Sequence, residues 1–444
     1  MRRVHAGLLA VVVLAVAAAV TGAALLWPTA APAVDPSVAG DDVRLQAGTL
    51  TAIAQLEEAD MAGLAPGART LRLTAELADG REVEFEMVDE TGDTFAVGQR
   101  VRVAEVGAPD GGTTFYVNDI ERTRPLLLLT GVFLVAVLVF GRWQGLRALL
   151  GLALTLAVVV VYVVPAVLAG SDPTLVALSA AVLIMAITLY LTHGVRPKTT
   201  AAVVGTLAAL GVTVGLSWLF IRLTALTGLS SEEARMASLQ VGGLSLRGLL
   251  LAGIIIGALG VLDDVTMAQS STVFELRRAD PRAGFAALFS GGMAVGRDHV
   301  AATINTLFLA YVGASLPLLI LFSGSPDPFP IIASSEIVAV EIVRTLVGSI
   351  GLMASVPVTT ALAAWLAHAR SAADAVEVAA SEHVGAGRDR RRRPLRRRRT
   401  DEREASLLDE NGDDGELDWE RRLRASYGLH RGPDRRPPVS DDTA

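Results

Sequence analysis

The sequence predicts an all-α polytopic membrane bundle of about eight transmembrane helices, with a small extracytoplasmic β-barrel-like domain, OB- or SH3-like, after the first helix. Three observations carry this. The chain is 52% hydrophobic and only 19% charged, with a mean hydropathy of +0.48. Its apolar residues come in blocks of roughly 17 to 24, the length a helix needs to cross about 30 Å of hydrocarbon. Lipid offers the backbone no hydrogen-bond partner, so each block must satisfy its own amides as a helix. Between the first two blocks, residues 43–120 alternate apolar and polar in the manner of half-buried strands.

Residues 1–27 form the first segment. Arg2 and Arg3 precede an apolar run from Ala6 to Leu26. It reads either as a signal peptide cleaved near Ala31-Pro32-Ala33 or as a retained signal anchor, and a run of about 20 residues favours the anchor. Both readings keep the amino terminus inside and send the next segment of the chain across the membrane.

Residues 40–121 form the extracytoplasmic domain. Candidate strands are Val43–Ile53, Thr70–Leu77, Glu82–Val88, Arg100–Val106 and Thr113–Ile120. Asp79-Gly80 is a hairpin signal, and Val97-Gly98 reads as a turn into an alternating strand. The segment Asp35–Arg124 carries 18 acids against 8 bases, and it offers neither a basic groove nor stacking aromatics. A structural cap on the membrane part is therefore favoured over a ligand-binding module.

Seven further spans, about 126–141, 148–169, 174–192, 199–221, 248–270, 299–322 and 338–366, fill a membrane domain over 125–370. With the amino terminus inside, the cytoplasmic loops hold Arg142 and Arg147, then Arg196 and Lys198, then Arg277, Arg278, Arg282 and Arg297, as the positive-inside rule requires. Both termini are then cytoplasmic. Residues 371–444 read as a disordered charged tail with nine Arg between Arg388 and Arg399. That cluster suits anionic lipid headgroups, or serves only to lock the topology. Membrane lipids are thus the expected partners, and nucleic acid is not, since no folded basic domain is left to bind it. With no cysteine in the chain, disulfides and thiolate sites are excluded, and no cofactor or metal site is expected.

Ionisable residues inside spans usually face a bundle interior or a water-filled path. In the sixth span Asp264, Ala268, Ser271 and Glu275 make one helical stripe, and Asp263, Thr266 and Ser270 the next. Ahead of the seventh span, Ser290-Gly291-Gly292 permits a break or a close backbone approach, leaving a helix to begin near Arg297. Asp298 and Asn305 then share a face, with His299 beside them. In the eighth span Glu341 and Arg344 are i, i+3 neighbours able to neutralise each other. A paired Asp holds a cation or shares a proton, and His299 relays one near neutral pH. The competing reading is a charge network of Asp263, Asp264, Arg297 and Asp298 that fixes packing.

These stretches resemble the YibE/F-like family of bacterial membrane proteins. The likeness rests on Gly257-Ala258-Leu259-Gly260 followed by Asp263, on Ser270-Ser271 and Glu275, and chiefly on Ser290 to Leu316 with Gly296-Arg297-Asp298 and Asn305-Thr306-Leu307. Glu341 to Leu352 with Pro357 looks like the family's last-span motif. The resemblance covers about 125–370 and implies a multi-pass protein of the bacterial cell membrane, with no settled substrate. The Gly291-Gly292 pair and the Arg-rich tail are less typical of it.

Three functions compete. The first is a permease or ion- or proton-coupled transporter using the carboxylates of the sixth and seventh spans. The second is a non-transporting assembly or envelope protein whose external domain and tail bind partners. An enzyme is the least supported, because no HExxH, GxSxG or P-loop occurs.

Overall fold

A computed structural model describes residues 2–29, 43–56, 69–89, 94–107 and 112–389. The Ala31-Pro32-Ala33 site and the arginines from Arg390 onward lie outside the described residues. The chain divides into two compact units, Met1–Ala375 and Val376–Ala444, and the sheet and the packed helices belong to the first.

The first helix, α1, spans Arg2–Leu25, and five strands come after it: β1 (Val43–Gln55), β2 (Arg69–Leu77), β3 (Glu82–Asp89), β4 (Arg100–Gly107) and β5 (Thr113–Ile120). They form one antiparallel sheet in the order β3-β2-β1-β4-β5. The sheet curls until its two edge strands approach each other. One face of the alternating pattern closes over Leu50, Leu73, Phe85, Val101 and Val103. The Asp79-Gly80 hairpin forms as its sequence requires: Gly80 takes φ +83°, and Leu77 N–H donates to the Arg81 carbonyl at 2.8 Å.

The remaining elements are helical: α2 (Thr123–Val158), a π-helical turn (Val159–Val163), α3 (Val164–Leu168), α4 (Pro173–His193), α5 (Pro197–Leu223), α6 (Glu232–Gln240), α7 (Leu246–Ala279), α8 (Phe285–Ala314), α9 (Leu316–Ser323), α10 (Phe329–Ser334) and α11 (Glu336–Asp389). Six helices among the described residues are long and apolar enough to cross a membrane, or seven if the bent pair α8–α9 counts as one. One of the six, Thr123–Leu168, is not straight. Arg142 has φ 49° and ψ −130°, and a Cβ on Gly145 would collide with the carbonyl of Val137. Residues eight apart on one helix are about 12 Å apart, so the chain folds back on itself at Arg142.

Two corrections to the sequence reading concern the seventh span. The glycines at 291 and 292 do not break it, and α8 runs without interruption from Phe285 to Ala314. Arg297 therefore sits mid-helix and not at a helix start. The bend comes later, 62° between α8 and α9, where Pro317 enters the first turn of α9.

Small residues let the bundle helices approach closely, as they do where no hydrophobic drive separates protein from lipid. Gly205 of α5 lies against Thr359 of α11, and Gly351 of α11 against Thr213 of α5. The α1 helix belongs to the same core, with Val12, Ala19 and Ala23 buried in it. Beyond α1, Trp27 stacks on Tyr162 at 5.8 Å, and the Tyr162 hydroxyl meets Ser179 Oγ at 2.7 Å. The π-turn that presents Tyr162 lies just before Pro165, which has no N–H to keep the α-helical ladder regular.

Candidate functional site

The polar residues of α7 divide between two neighbours. Toward α5, Thr266 Oγ1 meets Thr206 Oγ1 at 2.7 Å, and Ser270 Oγ donates to the Lys198 carbonyl at 2.7 Å. Toward α8 and α11, the buried Gln269 donates to the Gly292 carbonyl and to Thr360 Oγ1, both at 2.7 Å. Gln269 joins three helices, and its Nε2 finds both partners where lipid would supply none. The glycines explain how α8 comes so near. A Cβ on Gly292 would stand 2.8 Å from Val273 and from Thr360, and one on Gly296 would stand 2.6 Å from Val356. Close approach between helices is thus what Gly292 and Gly296 provide.

Asp263 and Asp264 face away from that seam. They line a cleft of about 350 Å³ between the second arm of the folded-back helix, α4 and α7. Thr155, Thr188, Thr192 and His193 line it with them. The hydroxyls of Thr188 and Thr206 stand beside the Asp263 carboxylate, yet its Oδ1 is buried with no hydrogen-bond partner. Asp264, one residue on, is exposed to the cleft, with His193 and His299 both within electrostatic range. Leaving a buried carboxylate oxygen without a donor is costly, so among the carboxylates of the described membrane helices this one asks for a proton, a water or a cation. Among the described residues, no three His, Asp or Glu side chains gather closely enough to hold a metal.

The other sequence-selected residues scatter. Ser271 is half-buried on α7, and Glu275 is exposed and pairs with Arg278 at 2.8 Å. Arg297, Asp298 and Asn305 are exposed on α8 and make no ion pair among the described residues. The competing charge network of Asp263, Asp264, Arg297 and Asp298 therefore does not form among the described residues; of the α8 cluster, only His299 approaches the carboxylates. Glu341 and Arg344 do pair, at 2.8 Å, half-buried on α11. Nearby Glu336 is bound structurally: it accepts from the backbone N–H groups of Thr227 and Gly228, both at 2.8 Å.

The sequence reading missed His193, Thr188 and Thr192, because a lone His at a helix end and Thr in an apolar run look ordinary until α4 is laid beside α7. It passed over Gln269 because that residue sits on neither selected stripe.

A model of the family described as YibE/F-like protein matches residues 129–369. The chain belongs to the YibE/F-like family. The match takes in the folded-back helix, the α7 carboxylates, the glycine seam and the apolar part of α11, and it leaves the sheet outside. No curated protein and no solved structure matches the chain.

Proposed function

We propose that this YibE/F-like protein is an ion- or proton-coupled permease of the bacterial cell membrane, with Asp263 and Asp264 as its proton- or cation-binding pair. The observation that carries this is the buried, unpartnered Oδ1 of Asp263 in a cleft shared with Asp264 and His193. A packing carboxylate is satisfied by its neighbours, whereas a carrier site leaves a position open for its cargo. His193 and His299 beside Asp264 add two groups that change charge near neutral pH.

The membrane architecture that suits this role has eight crossings, counting the two arms on either side of Arg142 and taking α8–α9 as one bent span. Supporting that count, Leu8, Ala201, Leu288 and Ala364 cluster at one end of the bundle, so chain segments separated by an even number of crossings meet there. The arginine-bearing turns at 196–198 and 277–282 lie at that same end, and the positive-inside rule supports reading it as the cytoplasmic one, with both termini inside. The sheet then lies outside, and its strand order with β3 against β5 suits a small OB-like barrel.

A non-transporting assembly protein is the second reading. It is favoured by the exposed Arg297, Asp298 and Asn305 on α8, since polar groups at membrane depth need a partner if no water reaches them.

The test is the purified full-length protein in liposomes with a trapped pH indicator. The carrier reading expects dissipation of an imposed pH gradient that Asp264→Asn abolishes while detergent melting stays near wild type. Equal dissipation by wild type, Asp264→Asn and empty liposomes would sink it.

A further inference from the structure

Where α7 leaves the bundle, the turn between α4 and α5 closes a second pocket, about 500 Å³ in volume and separate from the carboxylate cleft. Among the described residues, its lining includes Arg196, Lys198, Arg277 and Arg278 against a single acid, Glu275. Glu275 is already engaged by Arg278 at 2.8 Å, and Arg277 donates to the Ala283 carbonyl. Arg196 and Lys198 enter no ion pair among the described residues, so the pocket keeps uncompensated positive charge. The first turn of α5 starts in the same wall. Its N-cap residue Arg196 makes no side-chain cap, and Pro197 comes next, so the positive end of a 27-residue helix adds to the field. The remaining wall is apolar, formed by Val195, Phe274 and Ala367.

We infer that this pocket binds a phosphate-bearing anion, with Arg196 and Lys198 as the principal contacts. Guanidinium and ammonium groups lining one pocket suit phosphate oxygens. The volume and the apolar wall leave room for the glycerol and first methylenes of a phospholipid, at the level where the apolar lengths of α5 and α7 end. An anionic lipid headgroup and a soluble phosphate share this chemistry.

The experiment uses the full-length protein in neutral detergent, followed by thermal melting and native mass spectrometry. The probes are phosphatidylglycerol, phosphatidylcholine and inorganic phosphate. Phosphatidylglycerol should bind in preference to phosphatidylcholine and raise the melting temperature, and R196Q/K198Q should weaken that binding by about tenfold or more. A shift given equally by inorganic phosphate, with nothing added by the lipid, assigns the site to a soluble anion. E275Q provides an independent check: removing the only acid among the described lining residues should tighten binding several-fold. The inference fails if R196Q/K198Q and E275Q both bind as wild type does, or if neither anion binds in preference to phosphatidylcholine.

Discussion

One helix, α7, carries two polar stripes a single position apart, and they have opposite fates. Thr266 and Ser270 are buried, each bonded across to α5. Asp264, Ala268 and Glu275 are exposed, and Asp263 lies on the border with one oxygen satisfied by nothing. Nothing in the polarity of the stripes foretells this. The neighbours decide it: α5 offers the Thr206 hydroxyl and the Lys198 carbonyl at the right heights, while the other side offers a cleft. Polar residues in a membrane helix are therefore of two kinds, those that hold helices together and those left available.

The strongest way to break this comparison is to overfill the seam. Gly296→Leu should force α8 off α7 and α11, costing about 3 kcal/mol or more, read as lost monodisperse protein on size exclusion. Gly291→Ala is the control. Its new methyl would meet only the tip of Leu276, at 3.2 Å, so yield should stay near wild type.

The two kinds separate most clearly when one member of each is neutralised. Gln269→Leu should destabilise by about 1–3 kcal/mol, because the Gly292 carbonyl and Thr360 lose their donor; denaturation in detergent reads this. Asp263→Asn should leave that stability near wild type while removing proton movement in liposomes. If Asp263→Asn melted as early as Gln269→Leu, Asp263 would join the packing class.

Outside the membrane the same chemistry has smaller effects, because water screens it. Asp79 is held below the usual carboxylate range by the Arg81 N–H and side chain, and Asp119 by the Arg122 guanidinium and the Ile120 N–H. A lowered folded-state value means that these groups stabilise the sheet above about pH 4, the unfolded value. That contribution is lost as pH falls through the lower folded values. Residues 40–121 expressed alone should give a β-rich circular dichroism spectrum at pH 7 and melt earlier below pH 4. Asp79→Asn should flatten that dependence slightly. Least of all, Glu275→Gln should change stability by no more than about 0.5 kcal/mol, as for most exposed i, i+3 pairs.

Hydropathy in the sequence was enough to find the long apolar helices, six or seven of them long enough to cross a membrane among the described residues, because lipid forces each apolar block to be a helix whatever lies beside it. Strand alternation and Asp79-Gly80 were enough for the sheet, since the side-chain period and the turn geometry are local. The Glu341–Arg344 pair was legible for the same reason: i and i+3 are neighbours on any helix. What only the tertiary structure decided were the contacts between elements far apart in sequence. It decided between a break and a close approach at Gly292, left Asp298 apart from Asp264, and brought His193 and Thr188 to the carboxylates. Which face of a helix meets which neighbour depends on the fit of two surfaces, and neither surface carries that information alone.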